Sequence, residues 1–311
     1  MSSDEPVHDD TNDSKQTPAK PSEPAARSNR GYSIFTVPAP LKRIFDRFPL
    51  VTYAENDAPL RAPTARDTHG LHIFTTASDA RNGRPSFNPA CLKWQTFLKI
   101  AGAPFHAVAS SNHASPSGSL PFLLPTAADQ ATTPAPIPSS KLRRWVNAQS
   151  GANKSQEPLD VRGDAYPSLL EDGVRKAWLY QLYINPANAA LVDRLYVSPC
   201  SSNIFVRMTT SHQLQQAAQH ELSKASASNT IHEADVLQEA AASFEALSTL
   251  LDSDEWFFGR DGPGLFDASV FAYTHLILDS DMQWQDNALS DALMDHGNLV
   301  KHRDRMVEMY Y

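Results

Sequence analysis

The chain has 311 residues, of which 41% are hydrophobic, and it carries a net charge of −8. That length is typical of two domains or one large one, and the hydrophobic share is sufficient for a real core. The acidic balance argues against a general nucleic-acid binder, which needs a basic patch to neutralise phosphates. The two cysteines, Cys91 and Cys200, lack a paired spacing, as expected in a reducing compartment.

The sequence also shows no recognisable targeting signal. No apolar run approaches the roughly 18 residues that are needed to cross a bilayer. The N-terminus is acidic, and it has neither the apolar centre of a signal peptide nor the arginines of a matrix-targeting presequence. We therefore expect a soluble or peripheral protein that faces the cytosol.

The first 68 residues divide into a tail and an arm. Residues 1–30 are rich in Ser, Pro, Ala and Asp, which predicts a disordered tail. Residues 31–68 form an arm that is aromatic and locally basic. Four apolar residues recur at helical spacing and predict a short helix with one apolar face: Leu41, Ile44, Phe45 and Phe48. Either the arm packs on its own domain, or these four residues dock a partner or the membrane surface.

Residues 69–150 alternate between strand and helix patterns. A strand-like run starts at Leu71, and a helix is predicted from Asn88, a plausible N-cap that precedes Pro89, to Ala101, with Gly102 in a left-handed position. A second strand is expected at 105–108, whereas the stretch 130–138 is too rich in proline for a regular element, although it has room for one short strand. This region therefore reads as a small sheet with helices.

The stretch 117–124 runs from a polar turn into a buried strand. Pro121 cannot donate to a sheet ladder, so it must open this strand or lie on an edge, and the bond before it is one of the few with a realistic cis option. A further helix is predicted to start at Ser139 and Ser140. Strand, helix, proline-initiated strand and serine-started helix, in that order, resemble the thioredoxin-like domain of glutathione transferases.

Residues 151–311 read as an all-helical domain. The helical spacing of apolar residues predicts helices at 167–184, 213–224, 232–251, about 265–278 and 298–311. Asp267 follows the turn Pro263-Gly264 at the start of one helix, where a carboxylate accepts from free helix N–H groups and complements the dipole. We therefore predict that Asp267 and Pro121 have structural roles.

The sequence contains no convincing catalytic, cofactor or metal site. In a glutathione enzyme, the helix after the proline-initiated strand starts with an acid or glutamine followed by a serine. Here the serine is Ser140, and the place of the acid is taken by Ser139. Thr76 and Ser78 have hydroxyls after the first strand, but nothing nearby activates them. Cys91 is expected to be a buried core thiol. The histidines do not cluster at metal-ligand spacing, so no zinc site is predicted.

Beyond single residues, the order of several motifs resembles the metaxin family. The motifs are the Asn88 to Trp94 helix start, Gly118 to Leu123, Ser139-Ser140, and the pair Trp256 to Gly259 and Leu265 to Phe271. Similar proteins carry Ser or Thr as the helix cap where this chain has Gly264, so the capping falls on Asp267 alone. The arm before the first strand is similar to that of the fungal peripheral receptor subunit in the mitochondrial sorting and assembly machinery.

This resemblance implies a glutathione-transferase-like fold without an enzyme site, located peripherally on the cytosolic face of the mitochondrial outer membrane. The implied partners are the β-barrel insertase subunit, a second metaxin-like subunit, and β-barrel precursors, recognised by their C-terminal β-signal. One hypothesis docks the arm on the barrel subunit, and another gives the β-signal a groove near Pro121. The alternative is a glutathione-dependent transferase or glutathione-binding protein on the same fold.

Overall fold

The computed structural model describes residues 68–126, 135–149, 166–225 and 232–311, and all of these belong to one compact unit. The predicted tail and arm lie outside the described residues, and so do Leu41, Ile44, Phe45 and Phe48. The same holds for the predicted domain boundary after residue 150.

Four strands form one mixed sheet in the order β2-β1-β3-β4. They are β1 (His69–Ile73), β2 (Phe105–Ala109), β3 (Phe122–Leu124) and β4 (Ile137–Pro138). β1 is parallel to β2 and antiparallel to β3, and β3 is antiparallel to β4. The strands predicted from 71 and at 105–108 are confirmed, and the proline-rich stretch, judged unsuited to a regular element, contains only the two-residue strand β4.

Three helices accompany the sheet: α1 (Ala77–Arg81), α2 (Pro89–Ile100) and α3 (Ser139–Gln149). The predicted N-cap of α2 is confirmed, because the Asn88 side chain accepts a hydrogen bond from the Cys91 N–H and proline occupies the first turn. Gly102 has a φ of +69° just beyond α2, as predicted. α1 was not predicted, since its five residues are too few to show a periodicity.

The described residues from 166 onward are mainly helical. The helices are α4 (Arg175–Leu179), α5 (Ala189–Val192), α6 (Ile204–Ala225), α7 (Glu233–Leu251), α8 (Leu265–Leu278), α9 (Ala288–Met294) and α10 (Gly297–Tyr310). π-helical turns at Leu169–Val174 and Tyr180–Ile184 flank α4, so 166–184 is one continuous helical segment. The predictions for the helices at 167–184, 232–251, 265–278 and 298–311 are confirmed to within a residue or two.

The start of α6 differs from the prediction. The helix begins at Ile204 and not at Gln213, because the Asn203 side chain caps it by accepting from the N–H groups of Phe205 and Val206. Its first turns carry exposed apolar residues, which do not produce the one-sided pattern that predicts a helix. Within the described part of the chain, no helix is both long and apolar enough to span a membrane.

Two apolar cores meet along α8. One lies between the sheet and its helices and includes Leu71, Ile73 and Ala268, the last from α8. The other fills the helical region and includes Phe244 and Phe271. α8 packs against α2, so a single helix serves as a wall of both cores.

Candidate functional site

Three segments meet at one end of the sheet: the end of β1, the start of β3 and the start of α3. The strand register places the end of β1 beside the start of β3, with His72 opposite Phe122, and places Phe122 opposite Pro138. β3 follows directly after a cis peptide bond between Leu120 and Pro121, and α3 follows directly after β4. The positions that the sequence analysis compared with a glutathione site, at Pro121 and Ser139, thus lie at the same end of the sheet.

The backbone donor beside the cis proline is already used. The Leu120 N–H donates to the Asn112 side-chain oxygen at 3.0 Å, and Leu120 is buried. Pro121 has no N–H to offer. A peptide bound along this strand would therefore have to displace Asn112 to reach the Leu120 donor.

The start of α3 has no negative charge. Ser139 is half-buried, Ser140 is exposed, and the first turn of α3 contains no Asp or Glu. An ammonium group that arrives at this end of the sheet finds no carboxylate from α3 with which to form a charge-assisted hydrogen bond.

The hydroxyls after β1 cap α1. The Thr76 hydroxyl donates to the Asp79 carboxylate at 2.6 Å and accepts from the Asp79 N–H at 3.1 Å. The Ser78 hydroxyl lies 2.9 Å from that of Thr76, and it must donate because the Thr76 proton is already committed. The base in contact with Thr76 is the Asp79 carboxylate, and the two residues use their polar groups on each other as the cap of this helix.

Cys91 is a core thiol, as predicted. Its side chain is completely buried, and burial raises the pKa of the thiol to about 12, so the nucleophilic thiolate is not formed at neutral pH. The neighbouring Ser86 hydroxyl is also buried and donates to the Phe74 carbonyl at 2.6 Å. Cys200 is exposed in a turn, and its thiol donates to the Tyr196 carbonyl.

A second polar cluster surrounds Asp267 at the start of α8. Its carboxylate is completely buried and accepts three hydrogen bonds: from the Phe257 N–H at 3.0 Å, the Gly264 N–H at 2.8 Å and His302 Nε2 at 3.0 Å. Gly264 has no side chain to return a cap, so the side-chain capping comes from Asp267 alone. His302, on α10, is also completely buried.

Sequence reasoning missed His302 and Asn112. Each contacts a residue that the sequence analysis singled out, but His302 is far along the chain from Asp267, and Asn112 lies in a turn without a motif. Burying an unpaired carboxylate costs free energy, so a buried Asp267 requires a hydrogen-bond donor. That requirement was the only sequence-level indication that a partner such as His302 exists. Among the described residues, no three or more His, Cys, Asp or Glu side chains converge as a metal site would require.

Comparison with protein families agrees with this architecture. The model described as the glutathione S-transferase N-terminal domain matches residues 89–188, and the model described as the glutathione S-transferase C-terminal domain matches 240–306. Metaxin-1 of Homo sapiens is 26% identical over 234 residues, which cover 74% of this chain and 49% of the human protein. Metaxin-1 of Macaca fascicularis is 26% identical over 238 residues, which cover 74% of this chain and 72% of that protein. The chain thus spans about half the length of the human relative.

Solved structures show the same fold. A glutathione S-transferase of Ceriporiopsis subvermispora, in complex with glutathione, superimposes with a TM-score of 0.52 at 16% identity and covers 79% of this chain and 98% of that one. Glutathione transferase GSTFuA3 of Phanerochaete chrysosporium gives a TM-score of 0.53 at 11% identity over the same shares. At such identities the likeness establishes the fold only, whereas the metaxin matches are similarities of sequence. The chain is a metaxin-like protein with the glutathione-transferase fold.

Proposed function

We propose that this chain is a non-catalytic subunit of the sorting and assembly machinery in the mitochondrial outer membrane. It lies peripherally on the cytosolic face, contacts the membrane-embedded barrel subunit and a second metaxin-like subunit, and receives β-barrel precursors through their C-terminal β-signal. The observation that carries this proposal is that the glutathione-recognising positions of the fold are replaced or already occupied, in a chain whose sequence is similar to Metaxin-1.

The energetic argument concerns glutathione recognition. A hydrogen bond to a charged group contributes about 1.5–3 kcal/mol, and that contribution is missing where Ser139 replaces the acid. Displacing Asn112 from the Leu120 N–H costs about another 1 kcal/mol. Together these terms lower glutathione affinity by roughly two to three orders of magnitude.

The extended β-signal needs a sheet edge that still offers backbone donors. The groove near Pro121 is poor in donors, because the Leu120 N–H bonds Asn112 and proline has none. Of the two edge strands, β4 has two residues and one is Pro138, whereas β2 has five residues and no proline. β2 is therefore the edge that best supports strand addition by a precursor.

The first test is affinity purification of the tagged full chain from gently solubilised mitochondria. We expect recovery of an outer-membrane barrel protein and a second metaxin-like chain. The same preparation is passed over glutathione resin, which it should not bind. A chain that is recovered alone and is retained by glutathione resin would support the glutathione-dependent alternative, and Ser78, Cys91 and Ser140 would then be the residues to substitute.

The precursor edge is tested separately by photocrosslinking. A photoactivatable residue at exposed His106, on β2, is expected to crosslink an imported β-barrel precursor, and one at exposed Ser140, at the start of α3, is not. Crosslinks at Ser140 without any at His106 would move the contact to the end of the sheet beside Pro121.

A further inference from the structure

The N-terminal end of α6 exposes an apolar tip, which we define as Ile204, Phe205, Val206 and Met208. Their side chains are 63%, 76%, 46% and 65% exposed, respectively. Four large apolar side chains within five consecutive residues form a patch that is uncommon on a protein that stays in water. The tip lies in the stretch between the two glutathione-transferase family matches, at 89–188 and 240–306.

The tip is too wide to be one face of a packed helix. At about 100° per residue, its four side chains spread over roughly 200° around the helix axis. A protein partner with a flat surface would cover a narrower stripe of the helix, whereas the apolar part of a lipid layer can surround the whole end of the helix. This geometry favours the interior edge of a lipid layer over a helix-binding groove.

The polar groups at the tip are satisfied within the chain, as insertion requires. Asn203 Oδ1 accepts from the N–H groups of Phe205 and Val206, and the Asn203 carbonyl accepts from the Arg207 N–H. The Arg207 guanidinium is paired with Asp193 at 2.6 Å. Few hydrogen-bond donors or charges at the tip would therefore lose a water partner if the tip moved from water into lipid.

The charge distribution also suits a lipid surface. The chain carries 35 acidic residues in 311, yet no Asp or Glu occurs from Arg194 to His220. The two flanking carboxylates are paired, Asp193 with Arg207 and Glu221 with Arg175. This stretch therefore offers little negative charge to be repelled by the phosphates of lipid headgroups.

We propose that the apolar tip inserts into the headgroup region of a lipid bilayer and anchors this chain peripherally. The proposal rests on the proposed function, because it names the surface by which the metaxin-like subunit touches its membrane. It is separable from that function, since it requires lipid alone and no protein partner.

The experiment is flotation of the purified full chain with vesicles of phosphatidylcholine and phosphatidylethanolamine. The wild-type chain is expected to float with the vesicles, and the double substitution Phe205→Ser, Met208→Ser should lower the vesicle-bound fraction at least tenfold. The matched control is Met294→Ser, Met309→Ser, which alters side chains that are 61% and 53% exposed elsewhere and should leave flotation unchanged.

A second variant guards against misfolding. Phe205→Trp keeps an apolar side chain, so it should still float. The chain has five other tryptophans, so the emission of the wild type is subtracted, and the difference should shift to shorter wavelength when vesicles are added. Absence of flotation by the wild-type chain, or equal flotation of both double variants, would overturn the proposal. Loss of barrel-subunit recovery in the Phe205→Ser, Met208→Ser variant with unchanged flotation would identify the tip as a protein surface instead. Flotation without any barrel subunit in the purification would leave the tip intact and remove the receptor function.

Discussion

The two polar sites of this protein differ in how their hydrogen-bonding groups are used. At the end of the sheet, Asn112 occupies the Leu120 donor and Ser139 stands where an acid would hold an amine. At the start of α8, Asp267 has a donor for each of three hydrogen bonds, and all of them come from the chain itself. The polar groups around Asp267 hold the helical region together, whereas at the end of the sheet the Leu120 donor is used by Asn112 and α3 offers no acid. The scaffold and its ligand site are thus independent properties of the fold.

The largest effect should come from the Asp267 cluster. Asp267→Ala leaves the Phe257 and Gly264 N–H groups and His302 without their acceptor in a buried site. We expect the free energy of unfolding to fall by about 3–5 kcal/mol, as measured by urea denaturation. The control is Asp261→Ala at an exposed position, which should change it by less than about 0.5 kcal/mol. Equal midpoints for the two variants would show that the comparison between the sites is wrong.

The second effect is a pH dependence from the helical region. Burial, with Arg303 nearby, lowers the pKa of His275 from its ordinary 6.5 to about 4, and Asp279 Oδ2 lies 3.9 Å from its Nε2. Between these values the unfolded chain binds a proton that the folded chain does not, so stability falls as the pH decreases from about 6.5 to 4. The loss from this group approaches about 3 kcal/mol.

The measurement is urea denaturation at several pH values in that window. His275→Gln removes the titrating group and should flatten the slope, and His212→Gln, at an exposed position, should leave it unchanged. A slope that is the same in the wild-type chain and in His275→Gln would assign the pH dependence to the carboxylates instead.

The third prediction restores a ligand-recognising charge to the sheet. Ser139→Glu supplies a carboxylate at the start of α3, and we expect it to raise glutathione affinity by roughly tenfold to a hundredfold in titration calorimetry. Ser139→Met has a similar length without a hydrogen-bond acceptor of this kind and serves as the control. Identical dissociation constants for the two variants would mean that the missing acid does not limit glutathione binding.

The smallest effect concerns the occupied donor. Asn112→Ala leaves the Leu120 N–H without its acceptor, which should cost about 1–2 kcal/mol of stability in the absence of ligand. Asn287→Ala, at an exposed position, is the control for the same change of residue. If Asn112→Ala is as stable as the control, the Leu120 donor is not held by Asn112 in solution.

Local signals were readable from the sequence, and long-range ones were not. The start of α2 was predicted because Asn88 and Pro89 cap it with neighbouring atoms, and α8 because a turn and a periodic apolar run coincide. The π-helical turns were missed because one extra residue per turn blurs the period. The contacts of Asn112 and His302 depend on tertiary packing, which no spacing encodes. In each polar site, one residue was therefore singled out from the sequence, Asp267 or Pro121, and its partner, His302 or Asn112, was not.

The shared wall formed by α8 has a consequence for how the protein melts. Ala268 lies in the core beside the sheet, whereas Val270 and Phe271 lie in the core of the helical region. Heat that unravels α8 opens both cores at once, so calorimetry should record a single peak. Cutting the chain between residues 149 and 166 would leave one fragment with an uncovered apolar surface and the other with α8 half-exposed. We therefore expect both fragments to aggregate when they are produced separately.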